Sequence, residues 1–289
     1  MSFDFTTTTH GKWILAGEHA VLRGCPALVF PVRSCSLQLS IQKSDTLALT
    51  GANGIQEAVN KVIQRALELL DKPESELTGQ LEIQNTIPVG CGMGASAALC
   101  VAIGRWMHWL GWLHEHDLFE FACELENLFH GESSGADVMV AMTQQGMLFA
   151  RHGTSELITL NWQPIWLLTH SGTQGNTAEC IARVKELLAS QPPLGQHIDE
   201  SMRKSVQLAQ AALRSDTSAG HAQLAEAINQ ASDCFQAWGL ITPTLAEHQE
   251  MLKQHGALAS KPTGSGAGGF VLSLWKKMPE NLPVTPMVI

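Results

Sequence analysis

A glycine-rich segment between a predicted strand and a predicted helix constrains this chain more than any other stretch. Residues 81–86 alternate apolar and polar side chains, which predicts a half-buried strand. Gly90, Gly92 and Gly94 follow, and then a stretch rich in helix formers, 97–103. Glycine permits tight backbone turns, and a helix begins with unpaired N–H groups and a partial positive charge. The segment is therefore predicted to bind an anion.

Several glycine motifs can be tested against this segment. A Walker A loop ends in Gly-Lys-Ser/Thr, which occurs nowhere in the chain. The loose dinucleotide-binding pattern fits, but the preceding strand is alternating and polar rather than continuously apolar. A nucleophile elbow requires a glycine two positions after the serine, where this chain has Ala98 after Ser96. A tight turn without any ligand is the remaining alternative for the glycine cluster alone.

The composition is typical of a globular protein rather than a disordered one. Of the 289 residues, 45% are hydrophobic and 16% are charged. The net charge of −9 argues against nucleic acid or an anionic membrane as partner, because both need a large basic surface. The seven scattered cysteines, never spaced Cys-x-x-Cys, indicate reduced thiols in a cytoplasmic protein. The first residues lack the features of a signal peptide, and the apolar stretch 97–113 indicates a buried helix rather than a membrane span.

Periodicity along the rest of the chain predicts strands and helices in two domains. The predicted strands cover residues 11–16, 36–41, 46–50, 145–150, 165–169 and 270–275. The predicted helices cover residues 55–70, 117–129, 178–188, 198–213, 221–238 and 243–255. The domain boundary is expected between residues 151 and 164, which gives an N-terminal domain of 1–157 and a C-terminal domain of 158–289. The segment His114-Glu115-His116-Asp117 lacks zincin spacing and is predicted to be a solvated linker.

Three separated motifs and one further spacing form a recognisable pattern. The motifs are Gly11-Lys12-x-Ile14-Leu15-x-Gly17-Glu18-His19, the loop Pro88–Ala98, and Lys261-x-Thr263-Gly264-x-Gly266-x-Gly268-Gly269. The further spacing is that of Glu126 and Asp137, eleven residues apart. In this order they resemble the motifs of the GHMP small-molecule kinase superfamily. A histidine directly after Gly-Glu, as at His19, resembles the mevalonate kinases within that superfamily.

The resemblance implies an α+β, two-domain fold, with a ribosomal S5 domain 2-like N-terminal domain and a ferredoxin-like C-terminal domain. It implies that ATP and Mg²⁺ are the cofactors and that a small hydroxy acid such as mevalonate is phosphorylated on its primary hydroxyl. The catalytic residues it implies are Asp137 and Lys12, and the metal ligands are Ser96 and Glu126. The nucleotide-binding residues are Gly90, Cys91, Gly92, Met93, Gly94, Ala95 and Ser96. The substrate-binding residues are Glu18, His19, Thr263 and Gly264.

Departures from the family pattern leave alternatives open. Ala95 replaces the first of two paired serines, which leaves Ser96 with the only hydroxyl of the loop, and Ser133 replaces a proline. A phosphomevalonate kinase, a sugar or amino-alcohol kinase, and an inactive nucleotide-binding sensor are therefore alternative functions. A serine hydrolase is a further one, because Ser96, Asp137 and His170 follow the chain order of an α/β-hydrolase triad. The sequence leaves open whether the chain forms a homodimer.

Overall fold

The fold mixes strands and helices along the chain. The computed structural model describes residues 3–52, 54–215 and 217–289. The strands are β1 (Phe5–Ala16), β2 (Ala27–Gln42), β3 (Leu47–Thr50), β4 (Gly79–Asn85), β5 (Met147–Phe149), β6 (Glu156–Leu157), β7 (Ile165–His170), β8 (Ala259–Pro262), β9 (Phe270–Trp275) and β10 (Met287–Val288). The helices are α1 (Gln56–Leu69), α2 (Ala95–Trp109), α3 (Leu118–His130), α4 (Ala136–Thr143), α5 (Thr177–Ser190), α6 (Pro192–Arg214), α7 (Thr217–Ala237) and α8 (Pro243–Gln254).

The chain divides into two compact units, each built from separated segments of sequence. Unit 1 comprises the chain up to Lys12, Pro31–Val89 and Gly94–Gln144. Unit 2 comprises Trp13–Phe30, Gly90–Met93 and Gln145–Ile289. The sequence-based division into domains 1–157 and 158–289 stays a prediction.

Unit 1 is built around the apolar helix α2. Helices α1, α3 and α4 all contact it, and the run Ala97–Gly104 is buried throughout, which fits a stretch with no polar face. Strand β4 pairs antiparallel with β2 and parallel with β3. Alternate residues of β2, Leu37, Leu39 and Ile41, are buried on one face, as the alternating pattern predicts. Among the helices in the described part of the chain, none combines the length and apolar character that a membrane span needs.

Arg105, on the buried helix α2, joins three elements of unit 1. Its guanidinium donates hydrogen bonds to the hydroxyl of Thr7 and the carbonyl of Thr8 on β1, both at 3.1 Å. It also donates to the carbonyl of Met142 near the end of α4, at 2.9 Å. Burial lowers the pKa of Arg105, but a guanidinium stays protonated in proteins. Because a partly buried charge is costly unless its donors are satisfied, these bonds hold β1 and α4 against α2.

Unit 2 contains an antiparallel sheet and the helices α5 to α8. The strands lie in the order β10, β7, β9 and β8, and every residue of the inner strand β9 is buried. Separately, Ala27–Val29 of β2 pair with β5, which pairs with β6. The long helices α6 and α7 pack against each other, and the hydroxyl of Ser205 donates to the carbonyl of Ala227 across their contact at 2.8 Å.

Most of the predicted elements are confirmed, although some begin earlier than predicted, such as β1 at Phe5 and α6 at Pro192. Helix α5 begins as predicted, with the side chain of Asn176 accepting hydrogen bonds from two N–H groups of the first turn. The predicted strand 36–41 is part of the much longer β2. The sequence does not predict β8, which has only four residues and precedes a glycine loop. Residues 114–117 form a short 3₁₀ turn whose first three side chains are exposed.

Candidate active site

The first of two polar clusters lies in unit 1 and joins Lys12 to Asp137. Lys12 lies on β1. Asp137 is the second residue of α4, a helix that begins at Ala136 directly after Gly135, whose backbone is left-handed. The Nζ atom of Lys12 is 2.9 Å from Oδ2 of Asp137, and their side chains are 6% and 22% exposed. A partly exposed carboxylate in this position can accept a proton from a hydroxyl group. The ammonium beside it can offset negative charge that develops nearby.

Gly94 leaves room for the Lys12 side chain. It precedes α2 with φ +75°, a conformation that glycine adopts readily and other residues do not. A Cβ atom at this position would lie 2.7 Å from Cγ and 3.4 Å from Cε of Lys12. The glycine is therefore required both by the backbone conformation and by the packing of Lys12 against the start of the helix.

Glu126, on α3, is a buried carboxylate beside this pair. It is 2% exposed, and burial raises the pKa of Glu126 to about 7, with the negative charge of Asp137 adding to the rise. Three groups oppose that rise: a hydrogen bond from Ser133, the charge of Lys12, and a hydrogen bond from Ser96. The predicted metal ligands Ser96 and Glu126 are thus in contact with each other.

Ser133 links Glu126 to the start of α4. Its hydroxyl donates a hydrogen bond to Oε2 of Glu126 and accepts one from the N–H of Gly135 at 3.0 Å. Its own N–H donates to the side-chain oxygen of Asn127 at 2.7 Å. The hydroxyl of Ser133 therefore fixes the carboxylate of Glu126 relative to the turn that leads to Asp137.

The atoms of this cluster fit Mg²⁺. Carboxylate and hydroxyl oxygens are the ligands that Mg²⁺ prefers, and one or two protein carboxylates suffice for it. Ser96, Glu126 and Asp137 supply such oxygens within unit 1. A divalent cation would also favour the charged form of Glu126, which burial and the Asp137 charge otherwise oppose.

The predicted phosphate loop offers its backbone rather than its side chains. Cys91 and Met93 are 8% and 1% exposed, so both side chains point into the protein. Gly90, Gly92 and Gly94 all adopt left-handed conformations, with φ between 72° and 75°. N–H groups in turns of this kind can converge on an anion.

The second polar cluster lies in unit 2, where residues 90–93 pack against the third glycine loop. A Cβ atom on Gly92 would lie 3.1 Å from the carbonyl oxygen of Thr263 and 3.4 Å from Cα of Gly264. A Cβ atom on Gly269 would lie 3.0 Å from the carbonyl oxygen of Cys91. Both glycines are needed because two backbones approach this closely.

Thr263 holds the third glycine loop to the end of β1. Its hydroxyl accepts a hydrogen bond from the N–H of Ile14 at 2.8 Å and donates one to the carbonyl of Ile14 at 3.2 Å. Thr263 is 1% exposed. The predicted substrate-binding residues Thr263 and Gly264 are thus in contact with Ile14 and Gly92 within the unit.

His19 is a buried imidazole in the same unit. Its ring lies 5.3 Å from that of Trp238 and 5.9 Å from that of Phe235. Its Nε2 is 2.9 Å from the carbonyl oxygen of Ser265, and because a carbonyl only accepts, the proton is on Nε2 and Nδ1 is an acceptor. Burial lowers the pKa of His19 to about 4. A neutral His19 can therefore accept a hydrogen bond from a hydroxyl group through Nδ1.

Glu18, directly before His19, is 2% exposed and forms an ion pair with Lys261, which is 0% exposed. The sequence alone predicts no role for Lys261 or for Ser133. The signals were present, because Ser133 departs from the family pattern near an acidic residue and Lys261 is a lysine at the end of an apolar segment. Neither signal identifies the partner, which is Glu126 for Ser133 and the distant Glu18 for Lys261.

Comparison with known proteins finds relatives that cover most of the chain. Residues 55–145 match the GHMP kinases N terminal domain. The mevalonate kinase of Pyrococcus horikoshii is 28% identical over 291 residues, which cover 91% of this chain and 86% of the relative. The structure of L. major mevalonate kinase in complex with R-mevalonate matches with a TM-score of 0.77 at 23% identity, over 94% of this chain and 87% of that protein. Streptococcus pneumoniae phosphomevalonate kinase matches with a TM-score of 0.75 at 16% identity, over 96% and 92%.

The structural likeness confirms the predicted α+β fold class. The sequence similarity covers more than nine-tenths of the chain, as the three separated motifs predict. Residues 55–145 therefore match the N-terminal domain of the GHMP kinases, and the chain resembles the mevalonate kinases over nearly its whole length.

Proposed function

We propose that this protein is a cytoplasmic kinase that transfers the γ-phosphoryl group of ATP to the primary hydroxyl of mevalonate, giving 5-phosphomevalonate. The observation that carries the proposal is the Lys12–Asp137 pair at 2.9 Å beside the buried Glu126. Phosphoryl transfer needs a base for the attacking hydroxyl, a cation for the developing charge and an oxygen ligand for a metal. The mevalonate kinases at 28% and 27% identity support this choice of substrate.

Asp137 is the general base of the proposed reaction. It accepts the proton of the substrate hydroxyl as that oxygen attacks the γ-phosphorus and the bond to the leaving ADP oxygen breaks. Because the transition state of phosphoryl transfer is loose, a carboxylate suffices as the base. Lys12 holds the Asp137 carboxylate in place and offsets negative charge on the transferred group.

The nucleotide is held by backbone groups and by two side chains. The N–H groups of residues 90–96 and the N-terminus of α2 would bind the phosphates. Ser96 and Glu126 would hold Mg²⁺, which neutralises phosphate charge when it is bound. The hydrogen bonds that Ser96 and Ser133 donate to Glu126 favour its charged form, as a metal ligand requires.

The acceptor is recognised in part by His19. A neutral imidazole with its proton on Nε2 offers Nδ1 as an acceptor, which suits a hydroxyl of the substrate better than its carboxylate. Gly264 shapes the loop beside His19. Thr263 holds Ile14 and Glu18 holds Lys261, so these two residues act on the substrate indirectly. A phosphorylated acceptor calls for additional cationic side chains, and His19 supplies none.

The alternatives differ in the products that they predict. The fold alone does not distinguish a mevalonate kinase from a phosphomevalonate kinase. The streptococcal phosphomevalonate kinase matches this chain with a TM-score of 0.75, against 0.77 for the L. major mevalonate kinase. An inactive sensor would bind ATP and release no phosphorylated product. A serine hydrolase needs an imidazole beside Ser96, whereas Ser96 donates a hydrogen bond to Glu126.

A coupled ATP-consumption assay with mevalonate, phosphomevalonate, homoserine and galactose tests the proposal. We expect Mg²⁺-dependent turnover with mevalonate and the loss of that turnover when Mg²⁺ is chelated. Turnover with galactose but not with mevalonate would overturn the proposed substrate. ATP binding without product from any acceptor would favour the sensor, and labelling of Ser96 by a fluorophosphonate without ATP consumption would favour the hydrolase.

A further inference from the structure

A buried ion pair in unit 2 contributes no group to the chemistry proposed above. The Nζ atom of Lys261 pairs with Oε1 of Glu18, and the side chains are 0% and 2% exposed. The same Nζ donates a hydrogen bond to the carbonyl of Ile14 at 3.3 Å and lies 5.1 Å from the centre of the Phe235 ring. Removing an ammonium from water is costly unless its partners are in place. The pair is therefore stable only in a narrow range of arrangements.

Lys261 and Thr263 hold the same segment of chain. Lys261 lies on β8, and Thr263 directly follows the last residue of that strand. The hydroxyl of Thr263 forms hydrogen bonds with the N–H and the carbonyl of Ile14. The ammonium of Lys261 donates hydrogen bonds to the Ile14 carbonyl and to the carboxylate of Glu18. Together they attach the end of β1 and the turn after it to the third glycine loop.

His19 depends on both sides of this attachment. On one side it follows Glu18 directly, and its own backbone has φ +57°, which is unusual for a residue with a side chain. On the other side its Nε2 donates to the carbonyl of Ser265, two residues after Thr263. Such a backbone conformation persists only when surrounding contacts enforce it, and the Lys261–Glu18 pair is the contact adjacent to it.

We propose that Lys261 and Glu18 are positioning residues whose ion pair holds His19 with its Nε2–H on Ser265 and its Nδ1 toward the acceptor. Glu18 then acts on the substrate only through Lys261 and His19. This inference rests on the proposed function for the identity of the acceptor, but the position of His19 can be measured without any turnover.

The test compares Glu18→Gln, Lys261→Met and the double variant E18Q/K261M with the wild type. Ser205→Ala is the control, because it removes a buried hydrogen bond of unit 2 that does not involve His19. The measurements are the unfolding midpoint, kcat and KM for mevalonate and for ATP, and the ¹⁵N–¹H signal of His19 Nε2, assigned with the variant H19Q.

Each single variant leaves a buried charge without its partner, so both should unfold at lower temperature than the double variant. The double variant should regain the unfolding midpoint of the control. Its kcat/KM for mevalonate should nevertheless stay about tenfold or more below that of the wild type, because His19 is misplaced. Its His19 Nε2–H signal should shift or exchange faster, while that of Ser205→Ala is unchanged.

A double variant with the wild-type His19 signal and the kcat/KM of the control would overturn the proposal and leave the pair a purely structural one. If a single variant does not fold, the double variant and the control decide the question alone. If the wild type phosphorylates none of the four acceptors, the proposed function fails. In that case the His19 signal of the double variant still supports or refutes the positioning role.

Discussion

Replacing Gly94 by alanine should impair catalysis far more than folding. The new Cβ atom would lie 2.7 Å from Cγ of Lys12, whereas ordinary contact begins at 3.4 Å. The lysine side chain must therefore shift by about 0.7 Å, the difference between these distances. That shift moves the ammonium away from Asp137, from which it is 2.9 Å distant.

The expected magnitudes follow from two separate costs. The left-handed backbone, with φ +75°, costs an alanine about 1–2 kcal/mol, which lowers the unfolding midpoint by about 2–8 °C. A displacement of roughly 1 Å in a group that supports the chemistry can lower the rate by up to about 10²-fold. We therefore expect kcat to fall by about 10- to 100-fold at saturating ATP and mevalonate.

Gly111→Ala is the matched control. Gly111 follows the other end of α2 with φ +76°, and a Cβ atom there meets nothing within 4 Å. The control should lose similar stability, measured by thermal unfolding, and keep its kcat in the coupled assay. If Gly94→Ala keeps the same kcat as Gly111→Ala, the contact with Lys12 is not what the glycine protects, and the reasoning is refuted.

Three further outcomes are expected. Asp137→Asn should lower kcat by about 10²-fold or more with ATP affinity unchanged in calorimetry, and near-normal turnover would remove Asp137 from the mechanism. The pKa of Glu126 is about 7 against an ordinary 4.5, so the contribution of this residue to folding stability is present below pH 4.5 and is lost as the pH rises to about 7. Unfolding midpoints measured without Mg²⁺ should fall over this pH range, and Glu126→Gln should remove that pH dependence. The pKa of His19 is about 4 against an ordinary 6.5, so its contribution to folding stability is present above pH 6.5 and is lost as the pH falls toward 4. An NMR titration of His19 with a midpoint near 6.5 would contradict the inference that burial lowers its pKa.

The local features of the fold could be predicted because their causes are local. The three left-handed glycines of the phosphate loop are needed for the turn itself, and the cap at Asn176 acts within one helical turn. The helices follow from the spacing of apolar residues, and the run Ala97–Gly104 of α2 is buried because it lacks a polar face. The order of the motifs was sufficient to indicate the resemblance to the GHMP kinases and to name Lys12 and Asp137, which do form a pair.

The non-local features could not be predicted, because they depend on contacts between distant segments. Glu18 and Lys261 are 243 positions apart, and neither residue signals its partner. Ser133 is only seven positions from Glu126, but the replacement of the family's proline gives no sign that its hydroxyl holds that carboxylate, because the turn between them sets the contact. Lys12 and Trp13 are neighbours in sequence but belong to different units. This division follows from packing, and the amino-acid composition around the two residues does not predict it.

The hydrogen bonds of Arg105 make the unit 1 cluster cooperative. They connect β1, α2 and α4, the elements that carry Lys12, Ser96 and Asp137. An opening that frees one element alone would leave the partly buried guanidinium without some of its partners, so the three elements should open together. The amides of these elements should therefore exchange with solvent at a common rate, with the loop 131–135 exchanging faster. Under mild denaturant each molecule would then have Lys12, Ser96 and Asp137 either all in place or all displaced.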